Sequence, residues 1–166
     1  WAQKLAERTK PRSIVDLSAI TSIYRPGPLS ASVDKAYIKA VANPDDVDYL
    51  NETVREVTEE TYGFLIFQEQ IAKLAYELGD GITMDEANLL RKILTKKGTG
   101  KGHETKMKIY KKFIRGCDNK GISSREAERL WQTFEYFSGY GFNKSHAVCY
   151  SMISYQCAWL MTYYEG

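Results

Sequence analysis

The chain has 166 residues, 43% of them hydrophobic, which is enough to bury one domain or two small lobes and too apolar for a disordered tail. Its three cysteines, Cys117, Cys149 and Cys157, form no CxxC pair and have only two histidines for company, which argues against a disulfide framework and a zinc site and for a reducing, cytoplasmic setting. The net charge of +2 hides an uneven spread: residues 1–90 carry 9 Lys/Arg against 15 Asp/Glu, residues 91–120 carry 11 against 2, and residues 121–166 carry 3 against 4.

A basic block between acidic flanks suggests a polyanion partner rather than general solubility. Trp at position 1 and the closing MTYYEG read as the edges of a piece of a longer chain, and no basic stretch followed by an apolar run marks a signal peptide.

The pattern is helical nearly throughout, with no repeats and no convincing sheet. SIVD at 13–16 is a capping-box-like start, and its helix must stop at RPGP, residues 25–28, where two prolines bracket a glycine. A second helix is predicted over 32–41. The acidic run 43–61 turns at Asn43-Pro44 and holds one short helix. Residues 64–78 read as a helix closed by Gly79, although FLIF alone could pass for a buried strand. TMDE at 83–86 is a capping box for a helix reaching about Lys97. KGTGKG, residues 97–102, reads as a flexible basic loop, followed by a helix from about His103 to Asn119. SSRE at 123–126 starts the next helix, to about Tyr136, and the last runs from Ser145 to about Tyr164. Residues 147–164 carry no formal charge, which touches the lower limit for a membrane span. Four tyrosines and scattered Ser, Gln and Thr would need partners in lipid, so a buried core helix is expected instead.

Three stretches could carry chemistry. On the helix beginning at Thr83, about 100° per residue places Ala87, Leu89, Leu90, Ile93 and Leu94 on one side and Asn88, Arg91, Lys92, Thr95 and Lys96 on the other. That second side is a cationic ledge or simply a solvated face. The loop after it is weak as a P-loop, because the GxxxxGK[ST] spacing is not met and no strand precedes it. The turn at Arg25 and Gly27 is rigid enough to present backbone N–H groups to a ligand, or is only a helix breaker. In FSGYGFNKSH, residues 137–146, two glycines free the backbone, Tyr140 and Phe142 offer flat surfaces, and Asn143 or Ser145 can cap the helix. Lys144 and His146 then sit at a helix start, where basic residues are mildly unfavourable unless an anion joins them. His146 is then either an ordinary hydrogen-bonded helix-start histidine or, with Lys144, part of a helix start waiting for an anion that the sequence does not supply.

SIYRPGPL, YGFLIFQEQIAKLA, EANLLRKILTKK and FSGYGFNKSHAVCYSMISYQCAWL resemble, in order and at similar spacing over essentially the whole chain, the motifs of the fingers region of bacterial family C replicative DNA polymerases, the DNA polymerase III alpha subunits. The resemblance implies an all-α, irregular fingers domain of about six to eight helices over residues 1–166, with a possible sub-lobe at 83–136 bearing the basic helices. It implies binding of an incoming dNTP over a templating base during replication. Arg91 matches a triphosphate-gripping arginine, and Lys92 stands where a second arginine is usual, keeping charge but losing the bidentate fork. Lys96, Arg25, Gly27, Tyr140, Asn143, Lys144 and His146 complete the implied nucleotide pocket, and Lys97, Lys101, Lys106, Lys108, Lys111 and Lys112 the implied DNA contacts. The resemblance further implies two Mg²⁺ ions on palm carboxylates outside this chain. Its implied partners are primer-template DNA, the palm and thumb, and a sliding clamp, with no membrane. Asp45, Asp46 and Asp48 sit in an acidic run without a supporting motif and are not expected to be catalytic. GTGKGHETK departs from the family loop. The rival readings are a catalytically inactive nucleic-acid-binding module and a structural helical adaptor.

Overall fold

The computed structural model describes residues 2–25, 32–95, 100–138 and 143–164. Among these residues the chain folds into nine α-helices: α1 (Ala2–Thr9), α2 (Ile14–Ile23), α3 (Val33–Ala42), α4 (Glu52–Thr58), α5 (Gln68–Leu78), α6 (Met84–Thr95), α7 (Gly100–Asn119), α8 (Ser124–Ser138) and α9 (Lys144–Tyr163). Two short 3-10 turns, Pro44–Asp46 and Glu59–Thr61, flank α4. The all-α expectation holds.

Local chemistry sets most of the boundaries. Ser13 and Asp16 exchange side-chain and backbone hydrogen bonds at the start of α2, and Thr83 with Glu86, and Ser123 with Glu126, repeat the device before α6 and α8. The separate helix α1 has no such cap in its sequence and was not resolved by pattern. Two other expectations are corrected. Residues 100–102 belong to α7, so the helix starts before His103. Residues 64–67 stay outside α5, because the Gln70 Oε1 atom accepts hydrogen bonds from the Ile66 and Phe67 N–H groups, both at 2.9 Å, and holds Phe67 extended. The Gln70 amide is itself satisfied by Thr61 Oγ1 at 2.8 Å and Val57 O at 3.3 Å, so this buried polar group leaves nothing unpaired.

The helices enclose two cores. The larger gathers residues of α4 to α8, with Phe113, Trp131 and Phe134 at its centre and ring centroids 5.2 to 5.9 Å apart. Here α7 and α8 pack as a pair, tied by Lys106 Nζ to Glu135 at 2.9 Å and by the Tyr110 hydroxyl on Glu128. Cys117 is buried in the same core, and desolvation pushes its thiol up to about 11. At Gly116, α7 crosses the end of α5 so closely that a Cβ would lie 2.2 Å from the Leu78 carbonyl oxygen and 2.4 Å from the Asp80 nitrogen. The crossing is fastened by Asp80 N–H donating to Lys112 O at 3.0 Å and by Arg115 on Asp80 at 2.5 Å. The smaller core joins α1, α2 and α3 to Ile66, Phe67 and Ala147. Leu65 belongs to the first core and Ile66 and Phe67 to the second, so residues 64–67 form the seam between them.

The expected burial of the last helix is overturned. Only its beginning packs, against α2, through buried Ala147 and a 3.1 Å hydrogen bond from Ser18 Oγ to Ser151 Oγ. Beyond that point Ile153 is 58% exposed, Leu160 51% and Met161 72%. Among the described residues α2 is the main partner of this helix, and the turns beyond Ser151 stand exposed. No helix among the described residues is long and apolar enough to cross a membrane.

Candidate functional site: Arg91 and the start of α9

Two of the motifs picked out in the sequence, more than fifty residues apart, meet across one carboxylate. Glu69 stands in the first turn of α5, where a negative charge is favoured by the helix dipole. Its Oε1 faces Arg91 Nη1 of α6 at 3.5 Å, and its Oε2 accepts the backbone N–H of Lys144, the first residue of α9, at 3.0 Å. The Lys144 side chain turns to Glu60, with Nζ to Oε1 at 2.6 Å, and lies over the Phe67 ring at 5.7 Å. Asn143 caps the helix by accepting from the His146 N–H at 3.0 Å. The helix start is therefore not waiting for an anion from elsewhere: the chain supplies Glu69. Neither Glu69 nor Glu60 was singled out in the sequence. The available signal was QEQ directly after an apolar run, which places a carboxylate in the first turn of a helix.

Arg91 is not on a solvated face. Its side chain is 22% exposed, and its Nε is buried without a hydrogen-bond partner among the described residues. A buried N–H left unpaired costs about 1–3 kcal/mol. The single long contact to Glu69 leaves the planar guanidinium fork largely unused. Lys92 beside it is exposed and makes no ion pair among the described residues. The ledge is also less regular than helical spacing suggests: Ala87 and Leu90 are buried, whereas Leu89, expected on the packed side, is 43% exposed.

The other candidates are distributed unevenly. Arg25 lies just beyond α2, half-buried and partnered. Gly27, Lys96, Lys97 and Tyr140 lie outside the described residues, as does the side chain of Lys101. Lys106 and Lys112 are engaged within the chain, on Glu135 and on Glu86 at 2.8 Å. The Lys112 ammonium and the Thr83 N–H together hold the Glu86 carboxyl below its usual value. Lys108 and Lys111 are exposed on α7 with no ion pair among the described residues. Asp45, Asp46 and Asp48 are exposed near the first 3-10 turn. Among the described residues no group of three or more His, Cys, Asp or Glu side chains could hold a metal ion. What the arrangement can do is bind an anion: one half-buried guanidinium with spare donors, flanked by an exposed lysine and linked to a capped helix start.

Comparison with known proteins identifies the family. The family described as bacterial DNA polymerase III alpha subunit finger domain matches residues 1–121. The chain is 36% identical over 164 residues to a DNA polymerase III subunit alpha of Aquifex aeolicus, covering 99% of this chain and 14% of that protein. A DNA polymerase III subunit alpha of Thermus aquaticus is 38% identical over 160 residues, covering 93% of this chain and 12% of the relative. One of Treponema pallidum is 35% identical over 158 residues, covering 95% and 13%. The chain thus spans about one seventh of the length of the relatives it matches.

Proposed function

The chain belongs to the family of bacterial DNA polymerase III alpha subunit finger domains, and from that premise we propose that it grips the triphosphate of an incoming dNTP beside the templating base of a DNA-directed DNA polymerase. The observation that carries the reading is Arg91, whose guanidinium is half-buried, holds one long contact to Glu69 and keeps a buried Nε with no partner among the described residues. A triphosphate supplies the acceptors that such a fork lacks, and charge-assisted bidentate contacts are the strong ones. Lys92 adds a second, rim-like charge, and Asn143, Lys144 and His146 shape the neighbouring wall. Phosphoryl transfer asks of such a module positioning and charge stabilisation rather than covalent chemistry.

The family implies two Mg²⁺ ions. The described residues offer no donor set that fits them, so on this reading the ions and their palm carboxylates belong elsewhere in the parent polymerase, and no step here runs through them. Primer-template DNA is assigned to the exposed Lys108 and Lys111 first, and then to Lys97 and Lys101. The palm, the thumb and a sliding clamp are partners of the parent chain, in the cytoplasm.

Primer extension by the full polymerase chain, across a dNTP series, tests this. Arg91→Ala is expected to raise the apparent KM for every dNTP about tenfold or more, the equivalent of one lost charge-assisted contact, with primer-template affinity unchanged. Weakened DNA binding with normal nucleotide use would overturn the assignment. A parent chain that binds DNA and never extends would favour the inactive nucleic-acid-binding module instead.

A further inference from the structure

We propose that Glu69 is a positioning residue of the nucleotide site, a carboxylate that sets Arg91 and the first turn of α9 at a fixed separation before the nucleotide arrives. The proposal rests on the nucleotide reading above. Its ground is the division of labour between the two oxygens: Oε1 to Arg91 at 3.5 Å, Oε2 to the Lys144 N–H at 3.0 Å. One side chain in the first turn of α5 therefore addresses a side chain of α6 and the backbone of α9 together. The alternative, in which Glu69 only fills an anion site that the triphosphate must seize, fits less well. A backbone N–H at a capped helix start is held where it is, and among the described residues the 3.5 Å ion pair engages one guanidinium nitrogen and leaves donors for a second anion. Phe67, two residues earlier, is fully buried beneath the Lys144 ammonium, and Gln70, one residue later, is locked in four hydrogen bonds. Glu69 is thus anchored from both sides along the chain, as a positioning group must be.

Glu69→Gln separates the two duties. Its amide oxygen still accepts from Lys144 N–H, while the negative charge facing Arg91 is gone. In primer extension by the full polymerase chain, E69Q is expected to raise the dNTP KM about three- to tenfold with kcat nearly unchanged and the thermal midpoint kept. Combined with Arg91→Ala, E69Q is expected to add nothing further to KM, because the group it positions is absent. A purely structural role would not produce that non-additivity. An E69Q that leaves KM unchanged or lowers it overturns the proposal, as does an effect that adds fully to that of R91A. If R91A itself leaves KM unchanged, the nucleotide reading fails and this proposal falls with it. If R91A raises KM and E69Q does not, only the positioning role fails.

Discussion

The larger core and the outer turns of α9 are built from similar residues with opposite fates. Around Phe113, aromatic and aliphatic side chains of five helices close on one another. Along α9, Tyr150, Ile153, Tyr155, Trp159, Leu160 and Met161 stand exposed. Hydrophobicity alone does not bury a helix; a partner surface of matching shape does. In the core that surface comes from α5, α6 and α8, whereas among the described residues α9 packs on α2 through its first turns and leaves the rest exposed. Large exposed apolar patches in general mark surfaces that meet a partner.

The contrast can be broken at its strong end. Phe113→Ala removes a fully buried ring from the centre of the larger core and is expected to cost about 3–5 kcal/mol, read as a shift of the urea midpoint. Gly116→Ala comes next: its Cβ would meet the Leu78 carbonyl oxygen at 2.2 Å, and moving backbone at a helix crossing costs about 2–3 kcal/mol. Both variants should lose near-ultraviolet signal from Trp131 together with stability.

Acidification probes the same core from its rim. Glu86 is held below its ordinary value of 4.5, chiefly by Lys112 and then by Thr83. A carboxyl with a depressed folded value contributes stability above its unfolded value and loses it as pH falls through the folded one. Melting temperature should therefore fall from about pH 4.5 downward, and Glu86→Gln should flatten that slope. The smallest effect is expected at the other pole of the comparison. Leu160→Ser in the 166-residue chain should change stability by less than about 0.5 kcal/mol, while in the full polymerase chain the same variant should cost more if the parent covers α9. Equal effects in both would show that α9 stays uncovered.

Local signals made much of this legible in the sequence. The Ser13, Thr83 and Ser123 starts were readable because each cap needs only residues three apart. Arg91 and Asn143–Lys144 were readable as candidates from their residue types and from the resemblance. Their meeting at Glu69 was not, because pairing residues at 69, 91 and 144 is a tertiary event that no periodicity encodes. The start of α5 was misplaced for a related reason: Gln70 diverts the Ile66 and Phe67 N–H groups from helical use, and a side-chain acceptor three or four residues ahead looks like ordinary helix sequence. The outer turns of α9 were misjudged because apolar composition reports what a helix needs and not whether this chain provides it.

Residues 64–67 divide the two cores and lead straight into Glu69. The seam therefore couples the two cores along the chain: Leu65 is buried in the first and Phe67 in the second, so a change of side chain at either position reaches Glu69 through the backbone within four residues.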